Sequence, residues 1–351
     1  MKAATGLVTG HRPQPELAQE AVQFALAGAG LSRADNVILF LSRDFGRHAQ
    51  AAVLAAARAA GCLSVHGCTA SGLFTERSWQ LDQPSAAALV FAAPENNQGG
   101  DSPILSFSGH SRLPFDWQEG APRAGLIDGN AVAWAHGRIT DNGCAEIRLP
   151  GLHARLARAS GLRLLGEAVP VEQSRGYELV RAGGHRAIDS LYRALPPELR
   201  DQPPLHQIAV VRDPDEPAIA ILSANGDGSL MLAEALNEGD TISWAIRQPL
   251  AAEQEMRAAL ANIQNATTIE TKAGPRVSRK NRPNFALMFS CIGRGPLFYG
   301  NDDRDLLAFR ETFPDTPLLG AYGSGQIAPQ AGRNRLFHNT ALTLLFESAH
   351  V

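Results

Sequence analysis

Seven consecutive residues, Ser290-Cys291-Ile292-Gly293-Arg294-Gly295-Pro296, hold the densest chemistry in this chain. Glycines on both sides of an arginine let the main chain turn sharply and free N–H groups to meet an anion. Arg294 can hold a carboxylate through two parallel hydrogen bonds. That carboxylate can belong to a ligand or to the chain itself, at a domain interface. A second phrase, Gly320-Ala321-Tyr322-Gly323-Ser324-Gly325, follows closely and runs into Gln326. Tyr322 brings a ring and a hydroxyl, and Ser324 a second hydroxyl. The same G-x-x-x-S-G spacing occurs at Gly67-Cys68-Thr69-Ala70-Ser71-Gly72. The expected ligand-binding set is therefore Cys291, Gly293, Arg294, Gly295, Tyr322, Gly323, Ser324 and Gln326, with Cys68 and Ser71 from the first copy. Only the second copy is joined by an arginine and a tyrosine. It is the expected ligand site, and the first copy is expected to be mainly structural or to close a cavity.

Cys68 and Cys291 each stand at the expected exit of a strand. A nucleophilic cysteine needs a base, usually histidine, and His66 lies two residues before Cys68. The bland alternative is a small buried thiol. The four cysteines, Cys62, Cys68, Cys144 and Cys291, show no C-x-x-C spacing. Neither a zinc site nor a disulfide framework is indicated. None of the ten histidines falls in H-E-x-x-H. Haem needs only one axial histidine, so His66, His153, His185 and His338 remain candidates. A P-loop, a complete dinucleotide-binding glycine pattern and a G-x-S-x-G elbow are all absent from the sequence.

The elements that must position these residues alternate. Residues 3–8 read as a strand and 16–29 as a helix, with Leu17, Val22, Phe24, Ala25 and Leu26 on its apolar side and Gly30 as a stop. A continuous apolar run at 37–41 reads as a strand buried on both faces. A helix over 47–60 and a strand over 62–66 lead into the first G-x-x-x-S-G, read as a loop. Strands near 73–81 and 86–93 follow. The second half repeats that order: strand 241–247, helix 249–263 opened by a proline, strand 285–289, helix 302–313, strand 317–319, then the second loop and strands near 325–329 and 337–346. Between the halves, 131–139 and 145–149 read as a hairpin. Residues 185–195 read as a helix, and 207–211 and 218–223 as strands. Asn225-Gly226-Asp227-Gly228 is a hairpin turn. The expected fold is α/β (mixed α+β): two pseudo-repeated β-α-β-α-β-β-β halves with mixed sheets flanked by helices. Four prolines between 195 and 204 suggest domains 1–195 and 205–351.

Length and composition agree with that picture. A chain of 351 residues accommodates two ordinary domains. With 44% hydrophobic and 19% charged residues it reads as globular rather than disordered. A net charge of −3 gives no footprint for nucleic acid. The basic cluster Arg276, Arg279, Lys280 and Arg282 reads as a solvated loop. No apolar run is long enough for a membrane span, and the first residues lack the pattern of a signal peptide. The expectation is a cytoplasmic protein without nucleic-acid or membrane partners.

The stretch Cys291–Gly295, then Leu319–Pro329, then Phe337-His338-Asn339-Thr340, resembles the C-terminal domain of the FIST family. Residues 37–41 with His66–Gly72 resemble its N-terminal domain, and 161–166 and 183–188 its central segment. The resemblance implies a sensory, small-ligand-binding module, not established as catalytic, that signals to a separate protein. It brings amino acids forward as a ligand class. One branch resembles haem-binding nitric oxide sensors that regulate histidine kinases, so haem is the implied alternative cofactor. A cysteine-dependent enzyme is the alternative of another class. The sequence departs from the family at Gln326, where Glu is frequent, and in an abbreviated segment at 116–131.

Overall fold

The computed structural model describes residues 1–94, 100–265 and 283–349. The basic cluster at 276–282 and residues 95–99 lie outside the described residues. The chain forms two compact units: residues 1–160 with 253–351, and residues 161–252. The proline-rich stretch 195–204 lies within the second of these, so the compact units divide at other places than that stretch.

The first unit opens with β1 (Ala3–Thr9), α1 (Pro15–Ala29), β2 (Asn36–Ser42), a 3₁₀ turn (Arg43–His48), α2 (Ala49–Ala60), β3 (Val65–Ala70), β4 (Gly72–Thr75), β5 (Trp79–Gln80) and β6 (Ser85–Phe91). Gly30 and Gly61 end the two helices in left-handed conformation, as glycine allows without strain. Phe24, expected on the apolar side of α1, is exposed instead. The buried stripe of α1 is Leu17, Ala18, Ala21, Val22, Ala25 and Leu26, and Phe24 falls on the other side of the helix. Next come β7 (Ile104–Ser108), β8 (Arg123–Ile127), β9 (Ala133–Ala135), β10 (Arg138–Ile139), β11 (Cys144–Ile147) and β12 (Leu152–Ala159). The hairpin expected over 131–149 is smaller: β9 pairs with β10, while β11 pairs with β7 in another sheet.

Residues 161–252 hold β13 (Leu162–Arg175), β14 (Glu178–Ala182), β15 (His185–Arg186), α3 (Ala187–Ala194), β16 (Ile208–Val211), β17 (Ile219–Ala224), β18 (Leu230–Leu232) and β19 (Thr241–Arg247). The sheet closes on itself. The long β13 pairs with β19 through its first part and with β14 through its last, joining the ends of the order β13-β19-β16-β17-β18-β14. Val171, Leu179, Val210 and Trp244 fill this antiparallel barrel together with Leu191 of α3. The expected turn at 225–228 links β17 to β18.

Helix α4 (Pro249–Asn265) carries the chain back to the first unit. It is followed by β20 (Phe285–Cys291), a 3₁₀ turn (Ile292–Arg294), α5 (Arg304–Thr312), β21 (Leu318–Gly323), β22 (Gly325–Gln330), β23 (Arg333–Phe337) and β24 (Ala341–Ser348). Departure and return are stitched together: Ser160 donates its N–H (2.9 Å) and its hydroxyl (3.2 Å) to Glu255.

Two sheets of the first unit repeat one pattern. In one, the order is β1-β6-β2-β3, and in the other β12-β24-β20-β21. The pairs β2–β3 and β20–β21 are parallel, and the remaining pairs are antiparallel. This corrects one expectation. The strand 241–247 does not open the second half, because β19 is spent in the barrel; β12 takes the place equivalent to β1. The layers run helices, sheet, sheet, helices. Val37, Leu39 and Leu41 face α1 and α2. Ile38 and Phe40 share the core between the sheets with Leu287, Phe289 and Leu344. Met288 and Leu345 meet Met256 and Leu260 of α4 and Phe309 of α5. A third sheet, β11-β7-β8-β22-β23, adds Phe107, Leu126 and Phe337 to the central core. The fold is mixed α+β with helices flanking mixed sheets.

Candidate functional site

The two G-x-x-x-S-G phrases are not loops. Gly67–Ala70 lie in β3 and Gly320–Gly323 in β21; only Ser71 and Ser324 stand between strands. Most of their backbone is committed to ladder pairing and cannot cradle a ligand. After each serine the chain changes sheets: β4 joins β21 and β22 joins β8. The β4–β21 register places Phe74 opposite Gly320 and Tyr322 opposite Gly72. A Cβ on Gly320 would lie 2.0 Å from the Phe74 ring, and one on Gly72 2.9 Å from the Tyr322 ring. Each copy's glycine is thus the seat for an aromatic ring of the other, and the two rings stack 4.7 Å apart. Both serines then reach adjacent residues. Ser71 donates its hydroxyl to Asp128 (2.9 Å), and Ser324 donates its N–H (2.9 Å) and hydroxyl (3.1 Å) to the Ile127 carbonyl.

Around the second copy, the expected ligand groups are turned inward. Arg294 does clamp a carboxylate bidentately, but it is Asp305 of α5, with Nε at 2.7 Å and Nη2 at 3.0 Å. Its Nη1 donates to the Ala159 carbonyl at 3.0 Å, and arginine and aspartate are each 1% exposed. Burial works against the charge of Arg294, but Asp305 outweighs it and keeps the guanidinium firmly protonated. Tyr299 donates to Asp305 and Tyr322 to Asp303. Asp303 caps α5 by accepting from Leu306 N at 2.9 Å. Burial first, and the Asp305 charge second, raise the Asp303 carboxyl to about 6. Gly295 lies under Tyr322, whose ring a Cβ there would meet at 3.2 Å, while Gly293 is exposed. Cys291 is buried, its thiol 3.8 Å from Asn339 Oδ1. Gln326 is fully buried and, among the described residues, neither end of its amide has a hydrogen-bond partner.

The first copy also has an arginine in the turn after its parallel strand, two positions earlier than Arg294, and it is open. Arg43 begins the 3₁₀ turn after β2, as Arg294 sits in the turn after β20. Its Nε donates to Asp128 Oδ2 at 3.0 Å and its Nη2 to Oδ1. Asp128 is buried, whereas the Arg43 side chain is 53% exposed. Burial raises the Asp128 carboxyl, and Arg43 and Ser71 draw it back down. The trio stands at the carboxyl ends of the parallel pair β2–β3, where α/β sheets receive ligands. Neither Arg43 nor Asp128 was expected from sequence. Arg43 could have been found only as a charged residue in the turn directly after an apolar strand; Asp128, in the abbreviated segment, carries no local signal.

The chemistry of the remaining candidates is also defined. Burial and then the Asp128 charge push the Cys68 thiol well above its ordinary range, the reverse of an activated nucleophile. His66 is buried and held neutral, lowered to about 4 by burial and by His136. His153 and His338 are exposed, the latter with Nδ1 2.9 Å from the Ser324 carbonyl. His185 lies in the barrel unit. A cleft of about 780 Å³ is bounded by Thr5, Glu76, Arg77, Leu307, Arg310 and Thr316, among others, and by none of the ten expected site residues. Glu76 is tied there by Thr5 Oγ1 at 2.6 Å and by Leu318 N at 3.0 Å. Among the described residues, no helix is long and apolar enough to cross a membrane.

Comparison with known proteins finds a likeness over part of the chain. Residues 187–329 match the model of the FIST C domain. The chain is 28% identical over 221 residues to the uncharacterized protein Rv0628c of Mycobacterium tuberculosis, covering 59% of this chain and 55% of that protein. It is 28% identical over 221 residues to the uncharacterized protein Mb0898c of Mycobacterium bovis, covering 59% and 54%. The match thus spans about half the length of these relatives.

Proposed function

We propose that this chain, whose residues 187–329 match the FIST C domain, is a small-ligand-binding sensory module whose ligand presents a carboxylate to Arg43. The observation that carries this reading is the Arg43–Asp128–Ser71 cluster. A buried carboxylate fixes the guanidinium in orientation, while half of the arginine side chain faces solvent. Arg43 Nη1 has no hydrogen-bond partner among the described residues. A guanidinium so oriented loses little freedom on meeting an anion. Free amino acids and small carboxylates are the ligand class, and a separate signalling protein receives the output.

Calorimetry of the full chain against a panel of amino acids and short carboxylates tests this. One class should bind, and Arg43→Gln should weaken it by about 1.5–3 kcal/mol, the worth of a hydrogen bond to a charged group. The reading fails if Arg43→Gln binds the same ligand as tightly as the parent. It also fails if nothing in the panel binds.

A further inference from the structure

His66 and His136 stand apart from both arginine clusters. His66 lies in the first part of β3, at the other end of that strand from Ser71. Its ring is 2% exposed, and its two nitrogens have different surroundings. Nε2 is 3.4 Å from Ser64 Oγ. That hydroxyl donates its single proton to Asn36 Oδ1 at 2.8 Å, so Nε2 must carry the proton between them. The lone pair is then on Nδ1, which is buried without a hydrogen-bond partner among the described residues. A buried, unsatisfied nitrogen is costly and needs a physical reason. A histidine whose second nitrogen is fixed by a hydrogen-bond chain is also how proteins orient metal ligands.

The ring beside it is His136, with centroids 4.5 Å apart and planes at 73°. His136 and Gly137 are the two residues linking β9 to β10, and both have left-handed backbone, with φ 49° and 76°. Such two-residue turns favour Asn or Gly, and histidine is among the other residues that tolerate a positive φ. Two imidazoles on one metal, each bound at about 2.0–2.1 Å, have centroids roughly 4.5–5 Å apart for bond angles between a right angle and a tetrahedral one. The observed separation sits at the right-angle end, which suits tetragonal Cu²⁺ or Ni²⁺.

We infer that His66 Nδ1 and His136 form a two-histidine site for a late first-row divalent ion, with Cu²⁺ the best fit. Among the described residues no group of three or more His, Cys, Asp or Glu side chains is placed to hold a metal. Water therefore completes the coordination and the ion exchanges readily. His136 is exposed and provides the entry side. The inference is independent of the ligand reading at Arg43.

The test is titration of the full chain with CuSO₄ and NiCl₂, followed by calorimetry and by electron paramagnetic resonance of Cu²⁺. One equivalent with coupling to two nitrogens is expected. His136→Asn keeps a residue that tolerates the left-handed turn. It should remove one nitrogen coupling and weaken binding by about tenfold or more, and Ser64→Ala should weaken it within the roughly 10–100-fold range of outer-shell changes. His338→Asn, at an exposed histidine elsewhere, should change neither. A spectrum and affinity unaltered by His136→Asn would overturn the site. So would several weak equivalents in the parent protein, the mark of scattered surface histidines.

Discussion

Arg43 and Arg294 stand in the turns that follow equivalent strands of two repeated sheets, Arg43 directly after its strand and Arg294 two positions further along, and each holds an aspartate bidentately, yet their surroundings differ. Arg294–Asp305 is closed off, with tyrosines supplying further hydrogen bonds. Arg43–Asp128 has a buried acid under a half-open base. A buried ion pair is expensive to desolvate and costly to break, and serves best as a fixed strut. An open one can exchange part of its hydration for a ligand. An arginine–aspartate pair beside a parallel strand pair is thus sealed or left open, depending on whether a helix N-terminus covers it. In the second half, Asp303 and Asp305 of the α5 start provide that cover.

The sharpest way to break this contrast is Arg294→Ala. It leaves Asp305 uncompensated in the interior and should cost about 3–5 kcal/mol in denaturant unfolding. A loss below about 1 kcal/mol would mean the pair is not sealed. The next effect is on pH dependence. The Asp303 carboxyl binds its proton more tightly in the fold, at about 6, than in the unfolded chain, near 3.9. Its contribution is therefore full below about pH 4 and is lost as pH rises through about 6, amounting to roughly 2–3 kcal/mol. Asp303→Asn, which keeps a capping oxygen, should flatten that part of the stability–pH curve; an unchanged curve would show that Asp303 does not bind its proton more tightly in the fold. The smallest effect is Arg43→Ala, expected at about 1–2 kcal/mol because water can reach Asp128 through the open side. If it matched Arg294→Ala, the two clusters would be equivalent and the distinction would fall.

Much of the architecture was legible because it is local. Proline at the start of α4, glycines after α1 and α2, and the apolar runs of β2 and β20 report their own surroundings. What was not legible is decided by distant partners. β19 has the length and pattern of an opening strand, but its pairing with β13 and β16 places it in the barrel. The G-x-x-x-S-G glycines read as turn makers. They sit inside strands because Phe74 and Tyr322, from opposite copies, need room above them. Arg294 reads from sequence as a clamp for a ligand carboxylate, but the carboxylate it holds is Asp305, eleven residues further on at a helix start. Asp128 became visible only when β8 was seen to end beside Ser71 and Ser324.

The Ser160–Glu255 stitch has a bearing on how this chain could have grown. It fastens the place where the polypeptide leaves the layered unit to the place where it rejoins, so the barrel of residues 161–252 is a detour between two points already tied together. The entropy of such an excursion rises only slowly with its length. The layered unit therefore places little constraint on what the detour contains. A short Gly/Ser bridge in its place would leave every strand pairing of the three remaining sheets available, making the barrel a passenger that evolution, or an experimenter, can exchange.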